Sequence, residues 1–270
     1  MEEWLPEVKK RGYGVASISY DSQEILKNFS DRKKITYPLL SDPESKIIKA
    51  FGILNDGPKS GFAVGIPHPG IFIINSAGKV EAKFFEEDYR ERLTISALLS
   101  NQFGKPGLAA GDVVSGKNVR VTPAASSLTA RGGQHLVLSL DLEIPKGLHA
   151  YAPGAPEDYI PVEWKTEANE GYRLGELEFP KPLQLKVGGE KVPVPVFQGK
   201  FSLKREFISG NQAKLKAAAD SDGKLKIPGS FRYQVCNERQ CYPPQTVVVS
   251  WTLRVEQLES ERVPVELRKK

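Results

Sequence analysis

The sequence predicts two domains of different class. An incomplete α/β domain over residues 1–103 is followed by an all-β sandwich over residues 118–256, with a linker at 104–117 and a charged tail at 257–270. Three observations carry this reading. Up to Phe103, short apolar runs alternate with segments whose apolar residues recur at helical spacing. Across Gly104-Lys-Pro-Gly107, Gly111 and Ser115-Gly-Lys-Asn118 the helical spacing stops and alternation takes over. Beyond that point prolines at 145, 153, 156, 180, 182, 193, 195 and 228 separate several runs of strand length.

Composition narrows the function classes. With 40% apolar and 26% charged residues the chain is ordinary globular protein, and 270 residues suffice for two medium domains. The net charge of +5 comes from Lys and Arg scattered among Asp and Glu, without a basic run, which argues against nucleic-acid binding. No window approaches about 18 uninterrupted apolar residues, so no transmembrane helix is expected. Met1-Glu-Glu-Trp-Leu-Pro6 shows no charged-then-apolar leader.

In the first domain, Trp4, Leu5 and Val8 share one helical face, with Pro6 tolerated in a first turn. Tyr13 to Tyr20 reads as a buried strand. Asp21 as N-cap, with Glu24 three positions on, opens a helix that buries Ile25, Leu26 and Phe29. Tyr37-Pro-Leu-Leu40 is extended, and Ser41-Asp-Pro-Glu44 starts another helix that ends at Gly52. Gly70 to Ile74 and Lys79 to Phe85 form a hairpin around the Asn75-Ser-Ala-Gly78 turn, and a last helix runs from about Tyr89 to Phe103. His68, between two prolines, is expected to be a loop residue. Glu86-Glu-Asp88 is expected at a solvated helix start.

These landmarks resemble the thioredoxin-like fold of the peroxiredoxins, the alkyl hydroperoxide reductase and thiol-specific antioxidant (AhpC/TSA) family. The matching stretches are Val15-Ala-Ser-Ile-Ser-Tyr-Asp21, Tyr37-Pro-Leu-Leu-Ser-Asp42, Ala50-Phe-Gly52 and the segment from Gly65 to Gly78. That family places a reactive Cys at a helix N-terminus after its first central strand, where the helix end lowers the thiol pKa. Here no cysteine precedes Cys236. The resemblance therefore implies the fold without the peroxidase nucleophile, and an N-terminus that begins inside the expected helix.

In the second domain, 118–122 and 135–144 alternate strictly, and His135 is expected to be exposed at the head of its strand. Further strands are read at 159–165, 176–179, 200–207, 229–235 and 245–255, with a loop or short helix at 214–222. This spacing reads as an immunoglobulin-like antiparallel sandwich.

The only two cysteines, Cys236 and Cys241, lie in Arg232-Tyr-Gln-Val-Cys-Asn-Glu-Arg-Gln-Cys-Tyr-Pro-Pro244. They can form a disulfide if their Cα atoms approach to ~5.5 Å. Such a bridge closes a short loop and removes little unfolded-chain entropy, which suits a reducible pair better than a staple. A structural disulfide and two unrelated thiols remain as alternatives.

At this loop the sequence resembles the N-terminal domain of the thiol:disulfide interchange protein DsbD family. Ile144-Pro-Lys-Gly-Leu-His-Ala-Tyr151, Tyr159-Ile-Pro-Val-Glu-Trp164 and Val196-Phe-Gln-Gly-Lys200 match in order. The resemblance implies a thiol:disulfide oxidoreductase activity, if the chain is an enzyme. Cys236 and Cys241 would relay electrons to or from thioredoxin-like thiol proteins or a membrane electron donor, with no metal or cofactor beyond the disulfide. It further implies that Cys241 forms mixed disulfides and Cys236 resolves them. Phe197 would shield the pair, and His149 and Tyr151 would tune the thiol by hydrogen bonding. A bacterial periplasmic or otherwise extracytoplasmic location is expected, because persistent disulfides form in such compartments. Two other readings stand beside this one: a peroxiredoxin-like antioxidant protein whose peroxidatic Cys is missing here, and a non-enzymatic β-sandwich binding module with a structural disulfide.

Overall fold

A computed structural model of the chain describes residues 1–55, 66–85, 90–187, 192–258 and 264–267. It divides into one unit of Met1–Ile95 with Glu259–Lys270, and a second of Ser96–Leu258.

The first unit opens with a short 3-10 turn and α1 (Leu5–Lys10). Its start is tied to the segment ahead of β2, because Thr36 donates its N–H and its hydroxyl to the Glu2 carboxylate. β1 (Ser17–Ser19) pairs in parallel with β2 (Leu39–Ser41), and α2 (Gln23–Lys33) connects them. The helix is capped by Ser22, one residue later than the sequence reading placed the cap, and Ser22 Oγ accepts from Ile25 N–H. Asp21 instead accepts from the Ser19 hydroxyl at 2.6 Å. α3 (Lys46–Ala50) is held by the Asp42 carboxylate, whose two oxygens accept from the N–H groups of Lys46 and Ile48 at 2.9 Å each. β3 (Gly70–Ile74) and β4 (Val80–Phe85) form the expected hairpin, its turn fixed by Asn75 Oδ1 accepting from Ala77 and Lys79 N–H. His68 is in a loop, its N–H donating to Ile53 O at 2.7 Å. The expectation for Glu86-Glu-Asp88 lies outside the described residues. β5 (Arg92–Leu93) follows.

The helix expected from Tyr89 begins later, as α4 (Ile95–Gln102), and from Ser96 onward it belongs to the second unit. Tyr89 itself lies outside the described residues. The reason for the regrouping is burial. Ala97 and Leu99 are buried, Ser96 Oγ lies 3.3 Å from Ser126 Oγ, and Lys204 Nζ donates to Ser100 O at 2.7 Å. Residues 104–117, read from the sequence as a linker, also fold into this unit. β6 (Leu108–Ala109) and β7 (Val114–Gly116) both pair antiparallel with β8 (Val119–Ala125). Between them Thr252 N–H donates to Ala110 O at 2.6 Å. Gly111 permits this approach, because a Cβ there would stand 1.9 Å from Ser250 O.

Three sheets complete the second unit. The first runs β13 (Tyr172–Glu178), β16 (Lys200–Ser209), β10 (Gln134–Glu143), β8 and β6. The second runs β12 (Glu163–Thr166), β17 (Lys224–Tyr233), β19 (Gln245–Val255) and β9 (Thr129–Ala130). The third runs β14 (Leu183–Leu185), β15 (Val194–Phe197), β11 (His149–Tyr151) and β18 (Val235–Cys236). The alternation seen in the sequence of β10 becomes a strand paired on both edges, to β8 and to β16. Trp251 ties the layers. It stacks on Trp164 at 4.9 Å, and its indole N–H is shared between Ala124 O and Ser139 O on the facing sheet, each at 3.0 Å. A short helix, α5 (Gln212–Ala217), lies in the region left open as loop or helix. His135 is buried rather than exposed. Its Nδ1 lies 2.8 Å from Glu206 Oε1, and that partner satisfies the ring away from water.

Candidate redox site

The site grows out of the longest hairpin in the second unit. β17 and β19 pair without interruption from Lys224↔Arg254 to Tyr233↔Gln245. The connection, residues 234–244, folds back into a smaller hairpin. Asn237 N–H donates to Gln240 O at 3.0 Å, and Tyr242 N–H donates to Val235 O at 2.9 Å. Asn237 closes the turn, its Oδ1 accepting from Arg239 N–H at 2.8 Å and Gln240 N–H at 2.9 Å. Pro243 and Pro244, which have no N–H, end the small hairpin and lead into β19.

Cys236 and Cys241 face each other across this hairpin. The flanking pairs make the ladder bonds, so the cysteines occupy the narrow position, where side chains on adjacent strands come closest. Their Cα atoms are 4.0 Å apart and the sulfurs are bonded at 2.00 Å. On its other side Cys236 pairs with His149 of β11, so the redox hairpin leaves the β17 sheet and adds to the third sheet.

The two sulfurs differ in access. Cys236 is 1% exposed and packs with Tyr151, Val194 and Val196, whereas Cys241 is exposed. Tyr151 Oη lies 3.7 Å from Cys241 Sγ and 3.3 Å from His149 Nε2. The Tyr151 ring is sandwiched, with Tyr159 stacked at 4.2 Å and the His149 ring edge-on at 5.2 Å. Burial holds the His149 pKa below its usual value, so the imidazole is neutral at pH 7 and donates from one nitrogen only. With the proton on Nε2 the ring donates to Tyr151 Oη, which leaves the hydroxyl hydrogen for the sulfur. Among the described residues no group of three His, Cys, Asp or Glu could hold a metal ion. No described helix is long and apolar enough to cross a membrane.

Comparison with known proteins bears on both halves. The family model for the N-terminal region of the thiol:disulfide interchange protein DsbD matches residues 118–253, half of the chain. The chain belongs to the DsbD N-terminal family. The AhpC/TSA family model matches residues 1–83. Peroxiredoxin Bcp of Escherichia coli (strain K12) is 31% identical over 80 residues, 30% of this chain and 51% of that protein. Alkyl hydroperoxide reductase C of Staphylococcus aureus (strain NCTC 8325 / PS 47) is 33% identical over 92 residues, 33% of this chain and 46% of that protein. The chain thus spans about half the length of the curated relatives it matches. Among solved structures, the N-terminal periplasmic domain of ScsB from Proteus mirabilis aligns with 54% of this chain and 51% of its own, at 16% identity and a TM-score of 0.38. The architecture is therefore a thioredoxin-like AhpC/TSA region followed by an immunoglobulin-like DsbD region, as the sequence predicts.

Within this DsbD-type region the structure brings four of the predicted residues together, Cys236, Cys241, His149 and Tyr151. It does not bring Phe197 to them. Phe197 pairs with Ala150, and Val196 pairs with Tyr151. Alternate residues point to opposite faces, so Phe197 shares a face with Ala150 and Val235, away from the sulfurs. It is 3% exposed in the main core and stacks on Phe201 at 4.7 Å. Two residues of the site were not singled out from sequence. Asn237 carried a signal, an Asn at the start of a tight turn. Tyr159 carried none, since its stacking on Tyr151 arises only once the turn before β12 is folded.

Proposed function

We propose that the chain is a thiol–disulfide exchange protein in which Cys241 meets the partner and Cys236 resolves. The observation that carries this reading is the unequal exposure of the two sulfurs. An incoming thiolate reaches Cys241 Sγ from solvent. It forms a partner–Cys241 disulfide, breaks the Cys236–Cys241 bond and leaves the electron pair on Cys236 Sγ, which takes up a proton. A second thiol of the partner then displaces Cys241 as thiolate, leaving this chain reduced and the partner oxidised. In the forward delivery of electrons, Cys241 thiolate attacks an acceptor disulfide. Cys236 thiolate then attacks Cys241 Sγ and releases the reduced acceptor. Tyr151, oriented by His149, donates to the Cys241 thiolate. Membership of the DsbD family supports thioredoxin-like proteins as partners. An extracytoplasmic compartment suits a disulfide that must persist between exchanges. The first unit contributes no sulfur, so all exchange passes through this pair.

The test uses a thioredoxin-like protein lacking its resolving cysteine, its remaining thiol activated by a small aromatic disulfide. The Cys236→Ala variant should form a stable mixed disulfide on Cys241, read by mass spectrometry, and Cys241→Ala should form far less through buried Cys236. Failure of Cys236→Ala with every such protein would sink the proposal. So would a couple below about −300 mV that resists glutathione, since that behaviour marks a staple.

A further inference from the structure

The edge of the redox hairpin carries one unused pair of main-chain groups. In segment 240–242 the groups on either side of Cys241 are satisfied. Gln240 N–H donates to Asn237 Oδ1 and Gln240 O accepts from Asn237 N–H. Tyr242 N–H donates to Val235 O, and Tyr242 O accepts from Gln234 Nε2. The N–H and C=O of Cys241 make no hydrogen bond among the described residues. The geometry requires this outcome. At a narrow antiparallel pair each residue's main-chain groups point away from the partner strand. Those of Cys236 therefore point into the sheet toward β11, and those of Cys241 point outward at the sheet edge, beside the exposed sulfur.

We propose that this edge is the docking point for a partner's main chain, and that an extended segment lying beside the partner's exchanging cysteine pairs with the N–H and C=O of Cys241. The inference rests on the exchange reading above. An unpaired N–H and C=O on one edge residue are the elements that strand addition uses, and such pairing reads backbone rather than side chains. The edge is also bounded. The turn at 238–239 closes one end, and Pro243 and Pro244 offer no N–H at the other. Pairing is confined to a single residue, which fixes the register and aligns the partner against one sulfur. A long edge would allow slippage and indiscriminate pairing; a one-residue edge does not.

The test uses the full chain with Cys236→Ala, which leaves Cys241 as its sole cysteine, so labelling with 15N-cysteine gives one amide signal. Hydrogen exchange at that amide is compared between two adducts at Cys241, one with glutathione and one with the thioredoxin-like protein. The proposal expects exchange about 100-fold slower in the protein adduct. Exchange within about threefold of the glutathione adduct, with the protein adduct formed and the chain folded, overturns docking and leaves the exchange reading intact. If neither Cys236→Ala nor Cys236→Ser forms the protein adduct while their amide spectra show a folded chain, the exchange reading fails and this inference falls with it.

Discussion

Tyr151→Phe is the most informative substitution at this site, because it deletes one oxygen and leaves the ring. Tyr159 at 4.2 Å and the β11–β15 pairing hold the aromatic plane in either case. What is lost is the hydroxyl between Cys241 Sγ and His149 Nε2. A hydrogen bond to a charged group is worth about 1.5–3 kcal/mol. The 3.7 Å separation from sulfur puts this one at the low end. About 1.4 kcal/mol corresponds to a rise of about one in the Cys241 thiol pKa. At pH 7 that leaves about tenfold less thiolate. A Brønsted slope of ~0.4–0.5 restores about threefold in intrinsic nucleophilicity, so attack slows about three- to fourfold. The assay is iodoacetamide alkylation of Cys241 across pH in a Cys236→Ala background, which gives midpoint and limiting rate together. A midpoint that does not move, in a variant that remains folded, would refute the reasoning and reduce Tyr151 to a packing residue.

Two further outcomes follow from the same geometry. His149 titrates lower in the folded chain than its ordinary value of 6.5, so below about pH 6.5 the unfolded state binds more protons than the folded one. Stability should therefore fall as pH drops through that range, and His149→Gln should flatten that part of a melting-temperature profile; an unchanged profile would show that the ring is not held neutral. Phe197→Ala should destabilise the chain by about 3–4 kcal/mol, measured by denaturant unfolding, because it empties a core site. Reduction of the disulfide by glutathione should proceed at the same rate, whereas a rise of tenfold or more would show that Phe197 shields the sulfurs.

The parts of the fold written in local chemistry were legible in the sequence. Strict alternation at 135–144 gave a strand, and Asn75 with Gly78 gave a hairpin turn. Capping was legible to within a residue, since Asp21 and Ser22 are both good caps and only the folded helix selects Ser22. Residues 104–117 were misleading because Gly and Pro that read as a linker also permit two short strands and a close backbone approach. At the site, the cysteines and the His149–Tyr151 pair could be placed by motif, but the direction of Phe197 could not. Its face is fixed by the register of β15 against β11, between segments far apart in sequence, and a shift of one residue would have reversed it. Tyr159 was hidden for the same reason.

The disparity between the two sulfurs has a consequence for traffic. With Cys236 walled in and Cys241 alone at the surface, donor and acceptor must queue for one berth. The chain works as a turnstile: it is loaded, vacated and loaded again, and no ternary complex bridges the two clients. Steady-state turnover then follows a ping-pong pattern, and an excess of either client slows the other by occupying Cys241. The ratio of the two populations, as much as the affinity of either, sets the flow of electrons through this protein.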